Sequence, residues 1–114
     1  MMDDDARDIV MARLAASAVD DHDEDLPTAY ALARARALLS EASPLPRASV
    51  SSGYGAIYIY WRLRERRIHV MVAASLGAQE FLYFQDGDMH GIDKDLSPSL
   101  VSAWLRWYLG GPRP

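Results

Sequence analysis

Cysteine is absent from this 114-residue chain, so neither a disulfide framework nor a thiolate metal centre can form. Lysine is nearly absent too: Lys94 stands alone beside a set of arginines, a bias that composition explains without any phosphate-binding design. No apolar run approaches the ~18 residues of a membrane span, and Met1-Met-Asp-Asp-Asp5 is acidic where a secretion signal needs positive charge. The expectation is a cytoplasmic protein with no membrane association. Catalytic signatures are missing as well. No Gly-x-Ser-x-Gly or His-Glu-x-x-His occurs, and His22, His69 and His90 lie far apart with no paired motif around any of them. The expectation is therefore a protein that is not an enzyme and carries no cofactor and no resident metal.

Half the residues are hydrophobic, and the length suits one domain over 1–114 with a single core. Sixteen acidic against 12 basic side chains give a formal net charge of -4, which disfavours generic attraction to phosphate backbones or anionic lipid. Any nucleic-acid contact must then be local.

The order of elements divides the chain into a helical part (1–46), a β-meander (47–93) and a C-terminal helix with its tail (94–114). Asp3 to Asp5 can cap a first helix over Ala6 to Val19. Asp20-Asp-His-Asp-Glu-Asp25 breaks it, because five neighbouring carboxylates prefer solvent. Asp21-x-Asp23-x-Asp25 matches the first ligand positions of an EF-hand loop, but Leu26 and Leu32 stand where Gly and Glu are required, so no calcium site is expected. Pro27 and Thr28 open a second helix to about Ala42 with Ala31, Ala35, Leu38 and Ala42 on one side, and Pro44 and Pro46 end it.

Beyond Val50 the period changes to two. Ile57, Ile59, Trp61 and Leu63 share one strand face, and Tyr58, Tyr60, Arg62 and Arg64 share the other. A turn at Glu65-Arg66 would place Leu63 opposite Ile68, Trp61 opposite Val70, and Ile59 opposite Val72, all apolar. A third strand follows over Glu80 to Gln85, Asp86-Gly87-Asp88 is a hairpin signal, and Met89 to Ile92 can add a short fourth strand. Ser97 then caps a helix whose stripe is Leu100, Val101, Trp104, Leu105 and Tyr108, closed by Gly110-Gly111-Pro112. Trp61 and Trp104 are expected in the core. Trp107, one step off the stripe, is expected to matter less.

The predicted architecture is α+β: two N-terminal helices, an antiparallel three- to four-stranded β-meander and a C-terminal helix, with the helices packed on one sheet face. Tyr58, Tyr60, Arg62, Arg64, Arg67, His69 and Met71 then line the other face. They either contact a partner or merely cover an exposed sheet with long amphipathic side chains. The first reading makes the chain a protein-interaction module, an antitoxin-, immunity- or regulator-like partner protein or a homodimer. The alternative is a nucleic-acid-binding module using the same Tyr/Arg face. Gly53-Tyr-Gly-Ala-Ile57 is a poor version of the ribonucleoprotein strand, since Ser52 replaces its basic residue and Ala56 its second aromatic.

From about Leu26 to Ile92 the chain resembles a group of small uncharacterised bacterial α+β proteins, which have a Pro-Ser-opened helix, a Pro-rich break, a Gly-Gly-Ile-x-Leu-Glu-Trp strand and a β-meander. The matching residues are Pro27-Thr28, Pro44, Pro46 and Gly55-Ala-Ile-Tyr-Ile-Tyr-Trp61. Ala56 replaces the second Gly and Tyr60 the Glu, so any role of that carboxylate is lost. The resemblance implies the fold and brings no agreed activity.

Overall fold

The computed structural model describes residues 26–40, 42 and 45–114; the first predicted helix and the acidic loop lie outside them. Thr28 starts the described fold. Its hydroxyl accepts from the Ala31 amide and so caps α1 (Ala29–Leu39). The same hydroxyl donates to the Ala74 carbonyl at 2.5 Å, and the Thr28 amide donates to the Gly55 carbonyl, which pins the helix start to one end of the sheet.

Five strands follow: β1 (Ser49–Gly53), β2 (Ala56–Leu63), β3 (Arg66–Val72), β4 (Phe81–Asp86) and β5 (Met89–Asp93). They form one antiparallel sheet in chain order, and α2 (Pro98–Tyr108) closes the fold. The class is α+β, with two helices among the described residues. The sheet exceeds the predicted three to four strands because Gly53-Tyr-Gly-Ala56 is a hairpin turn that adds a strand before Ala56. Tyr54 and Gly55 both adopt positive φ, the primed-turn geometry that matches strand twist, and so Ser49–Gly53 pairs with β2. A side chain at Gly55 would also meet the Thr28 methyl at 3.0 Å.

The β2–β3 register differs from the expected one by two residues. Leu63 faces Arg66, Trp61 faces Ile68, Ile59 faces Val70 and Ile57 faces Val72. Arg64 and Glu65 form the turn, with Arg64 at φ 57. A slip of two keeps every side chain on its own face, so apolar pairing alone cannot distinguish the two registers. Arg66 can. Its Nε meets Asp86 Oδ2 at 3.1 Å on β4, its Nη1 donates to the Trp107 carbonyl at the end of α2, and its guanidinium lies 4.8 Å from the Trp107 ring centre. In the turn it would lose all three contacts. Leu63 leaves the core as a result and is half exposed.

One cluster holds the buried side of the sheet (Ile57, Ile59, Trp61, Ile68, Val70, Val72, Leu82, Phe84) together with Ala31, Ala35, Leu38 and Leu39 of α1 and Val101, Trp104, Leu105, Trp107 and Tyr108 of α2. Both helices therefore cover the same sheet face. Trp61 is fully buried, its indole N–H donating to the Pro46 carbonyl at 3.0 Å. Trp104 stacks on Phe84 with ring centres 4.1 Å apart, and Gly91 opposite leaves room for that ring: a Cβ there would sit 2.6 Å from Phe84 Cζ. Arg34 on α1 ties the layers together, donating to Glu80 Oε1 at 2.7 Å and to the Leu96 carbonyl at 2.8 Å.

Trp107 corrects the sequence expectation. It is only 3 % exposed, because Trp104, Phe84 and Arg66 enclose its ring and widen the buried arc of α2 beyond one stripe. Trp107→Ala should accordingly lower unfolding free energy by about 3–5 kcal/mol, level with Trp104→Ala. Denaturant midpoints check this; a loss under about 1 kcal/mol would show that Trp107 is held loosely.

Candidate functional site on the open sheet face

Alternation that sends Ile57, Ile59 and Trp61 to the helices sends Tyr58, Tyr60 and Arg62 the other way, and the ladder aligns them with outward residues of the neighbouring strands. Three rows cross the sheet. Ser51, Tyr58, Met71 and Phe81 form one end row. Ser49, Tyr60, His69, Tyr83 and Ile92 form the middle row, and Arg62, Arg67, Gln85 and His90 the other end row. Six of the seven residues singled out in the sequence, Tyr58, Tyr60, Arg62, Arg67, His69 and Met71, thus share one surface. Arg64 does not. It occupies the β2–β3 turn at the edge of that surface, a consequence of the two-residue change in register.

Ring contacts run along the middle row. Tyr60 and His69 have centroids 4.3 Å apart, His69 and Tyr83 5.8 Å, and Tyr83 and His90 6.2 Å. The Tyr83 hydroxyl also lies 3.4 Å from Gln85 Oε1. Such neighbouring rings restrain one another. The surface they form is hollow: a concavity of about 640 Å³ is lined by Ser49, Ser51, Tyr58, Tyr60, His69, Met71, Phe81, Tyr83 and Ile92. That size lies within the range of ~300–1,000 Å³ common for binding clefts, and the lining is mostly aromatic or aliphatic. Ile92 is 57 % exposed and Tyr58 39 %, so among the described residues apolar surface faces outward here without cover.

Phe81 and Tyr83 extend the surface as the alternation of the third strand implies. Ser49, Ser51, Gln85, His90 and Ile92 fall outside the set read from the sequence. The first two ride on a strand hidden by its serine-rich composition. His90 and Ile92 could have been placed from the Gly87-Asp88 turn, which fixes Gln85 opposite His90 and Tyr83 opposite Ile92.

Among the described residues Arg62, Arg64 and Arg67 make no ion pair, whereas Arg34 and Arg66 each hold a carboxylate. No group of three or more His, Asp or Glu side chains gathers at one point among those residues. No described helix is long and apolar enough to cross a membrane. A second depression of about 630 Å³ adjoins the β2–β3 turn and the end of α2, lined by Arg64, Glu65 and Tyr108 together with Arg66 and Asp86, of which the last two are engaged with each other.

No family model, curated protein sequence or solved structure matches the chain.

His69 titrates below its ordinary 6.5, because partial burial removes water from the imidazolium and, secondarily, the Arg67 guanidinium repels it. The unfolded chain therefore takes up this proton first. Stability from His69 is whole above about pH 6.5 and falls as pH drops below that value toward the folded-state pKa. NMR titration of His69 should show the low midpoint, and Arg67→Gln should raise it. An unchanged midpoint in that variant would exclude the guanidinium as a cause.

Proposed function

We propose that the chain is a small cytoplasmic protein-interaction module, without catalytic activity, that engages a second protein or a second copy of itself through the open sheet face. One observation carries the reading: Tyr58, Tyr60, His69, Met71, Phe81 and Tyr83 line a hollow of about 640 Å³, uncovered among the described residues, on the side of the sheet opposite both described helices. Neither described helix covers these groups, since both pack on the other face, while interfaces are enriched in Tyr, Trp, Phe, Met and Arg. Rings that restrain one another lose little further freedom when a partner arrives, which lowers the ordering cost of binding.

The alternative is a nucleic-acid-binding module on the same surface, favoured by the unpaired Arg62 and Arg67 beside the aromatic row. Exposed rings can stack on bases while guanidinium groups hold phosphates. Salt separates the two. Phosphate contacts make log affinity fall linearly with log salt, about 0.7 per neutralised phosphate on a single strand, whereas an apolar protein contact changes little.

Tyr60→Glu places a charge at the centre of the face. Light scattering at high micromolar concentration, and pull-down from native extract where the wild type is monomeric, should show association weakened at least about tenfold, or 1.4 kcal/mol. The denaturant midpoint should move little. Equal association of variant and wild type would remove the open face as the contact.

A further inference from the structure

Sixteen Asp and Glu residues occur in the chain, yet none occupies an outward position on the five strands. The acidic residues within the strands, Asp86 and Asp93, pair with Arg66 and Leu82 and so fall on the inward alternation. The outward positions carry Arg62, Arg67, His69 and His90 instead. The strands of an acidic chain thus present one face free of carboxylates of their own, and the arginines there have no internal partner among the described residues. The cations are confined to one end. Arg62 and Arg67 form a directly opposed pair, one row beyond Tyr60 and His69, and two like charges side by side are unfavourable until something negative meets them.

Resting on the protein-binding reading above, we propose that the occupant is an extended segment of a second protein that carries a large apolar side chain and, two positions along, an Asp or Glu. The spacing follows from strand geometry. Successive rows on one sheet face lie about 6.6 Å apart, two residues of a strand, and side chains on one edge of an extended segment have the same repeat. An apolar residue seated among Tyr58, Tyr60 and Tyr83 therefore sets the residue two further on beside Arg62 and Arg67, where planar guanidinium groups bind carboxylate in forked geometry. A nucleic acid fits this distribution less well. It brings a phosphate with every nucleotide and is held by basic grooves that follow its backbone, whereas here the far row, Ser51, Tyr58, Met71 and Phe81, carries no basic side chain.

Panning a phage-displayed library of random linear peptides on the full chain tests this, with Arg62→Glu/Arg67→Glu panned in parallel. Wild type should enrich a large apolar residue followed two positions on by Asp or Glu, severalfold over the input library. The double variant should lose that acidic preference or exchange it for Lys or Arg while keeping its thermal midpoint, since Arg62 is exposed and neither arginine is in the core. Synthetic copies of the enriched peptides should shift the NMR signals of Tyr60, His69 and Tyr83. Peptides that reach this face without an acidic preference would overturn the charge pairing and leave the protein-binding reading standing. Peptides that land elsewhere, or no enrichment at all, would overturn both. Binding of oligothymidylate with a steep salt dependence, lost in the double variant, would replace the proposal with the nucleic-acid one.

Discussion

The Arg66 guanidinium is the contact on which the arrangement of the sheet depends. Turn chemistry at Arg64-Glu65 is unremarkable, without the Asn-Gly or Asp-Gly pair that usually fixes a two-residue hairpin. What settles the pairing is that Arg66, at the first position of β3, reaches Asp86 on β4 and both the ring and the terminal carbonyl of Trp107 on α2. A cation at the carbonyl end of a helix meets the negative end of its dipole, and the partly buried site strengthens the attraction relative to open water. Breaking one of these contacts leaves the others with a worse geometry, so the hairpin, the fourth strand and the last helix move into register together.

That register determines what lies on the other side of the sheet. Tyr60 beside His69, Tyr58 beside Met71 and Arg62 beside Arg67 are pairs of this register alone. Shifted by two, Tyr60 would face Met71, Arg62 would face His69, and Arg64 would take the place of Arg62 opposite Arg67. A contact between the hairpin and the last helix thus sorts the residues of the open face into an aromatic hollow with a cationic end. The same sheet divides the labour between its faces: one joins the helices in a dry core, and the other is left apolar and concave, with no carboxylate at its outward strand positions.

Most of the architecture is legible in the sequence because it rests on periodicity and on caps. Ser97 caps its helix as read, Thr28 stands at the start of α1 where a helix opening is expected, Ala31, Ala35, Leu38 and Ala42 are buried, and Gly87-Asp88 makes the turn between β4 and β5. What escapes the sequence depends on contacts between distant elements. β1 reads as loop because Ser-Val-Ser-Ser-Gly has little apolar content, and only the positive φ of Tyr54 and Gly55 reveals its hairpin. Trp107 lies off the apolar stripe and is buried by Arg66 and Phe84, which a helical wheel does not contain. The β2–β3 register is ambiguous by two residues for the same reason that its faces are certain: a period of two cannot count in steps of two. The candidate site survives this error, losing Arg64 alone from its surface, because membership of a face depends on parity and neighbours on register.

Cross-strand backbone nuclear Overhauser effects between β2 and β3 provide the most direct test of the account. Opposed α-protons and amides should pair Tyr60 with His69, Arg62 with Arg67 and Trp61 with Ile68. Pairing of Tyr60 with Met71 and of Arg62 with His69 would contradict it, because Arg66 would then sit in the turn, away from Asp86 and Trp107, and Arg64 rather than Arg62 would stand opposite Arg67.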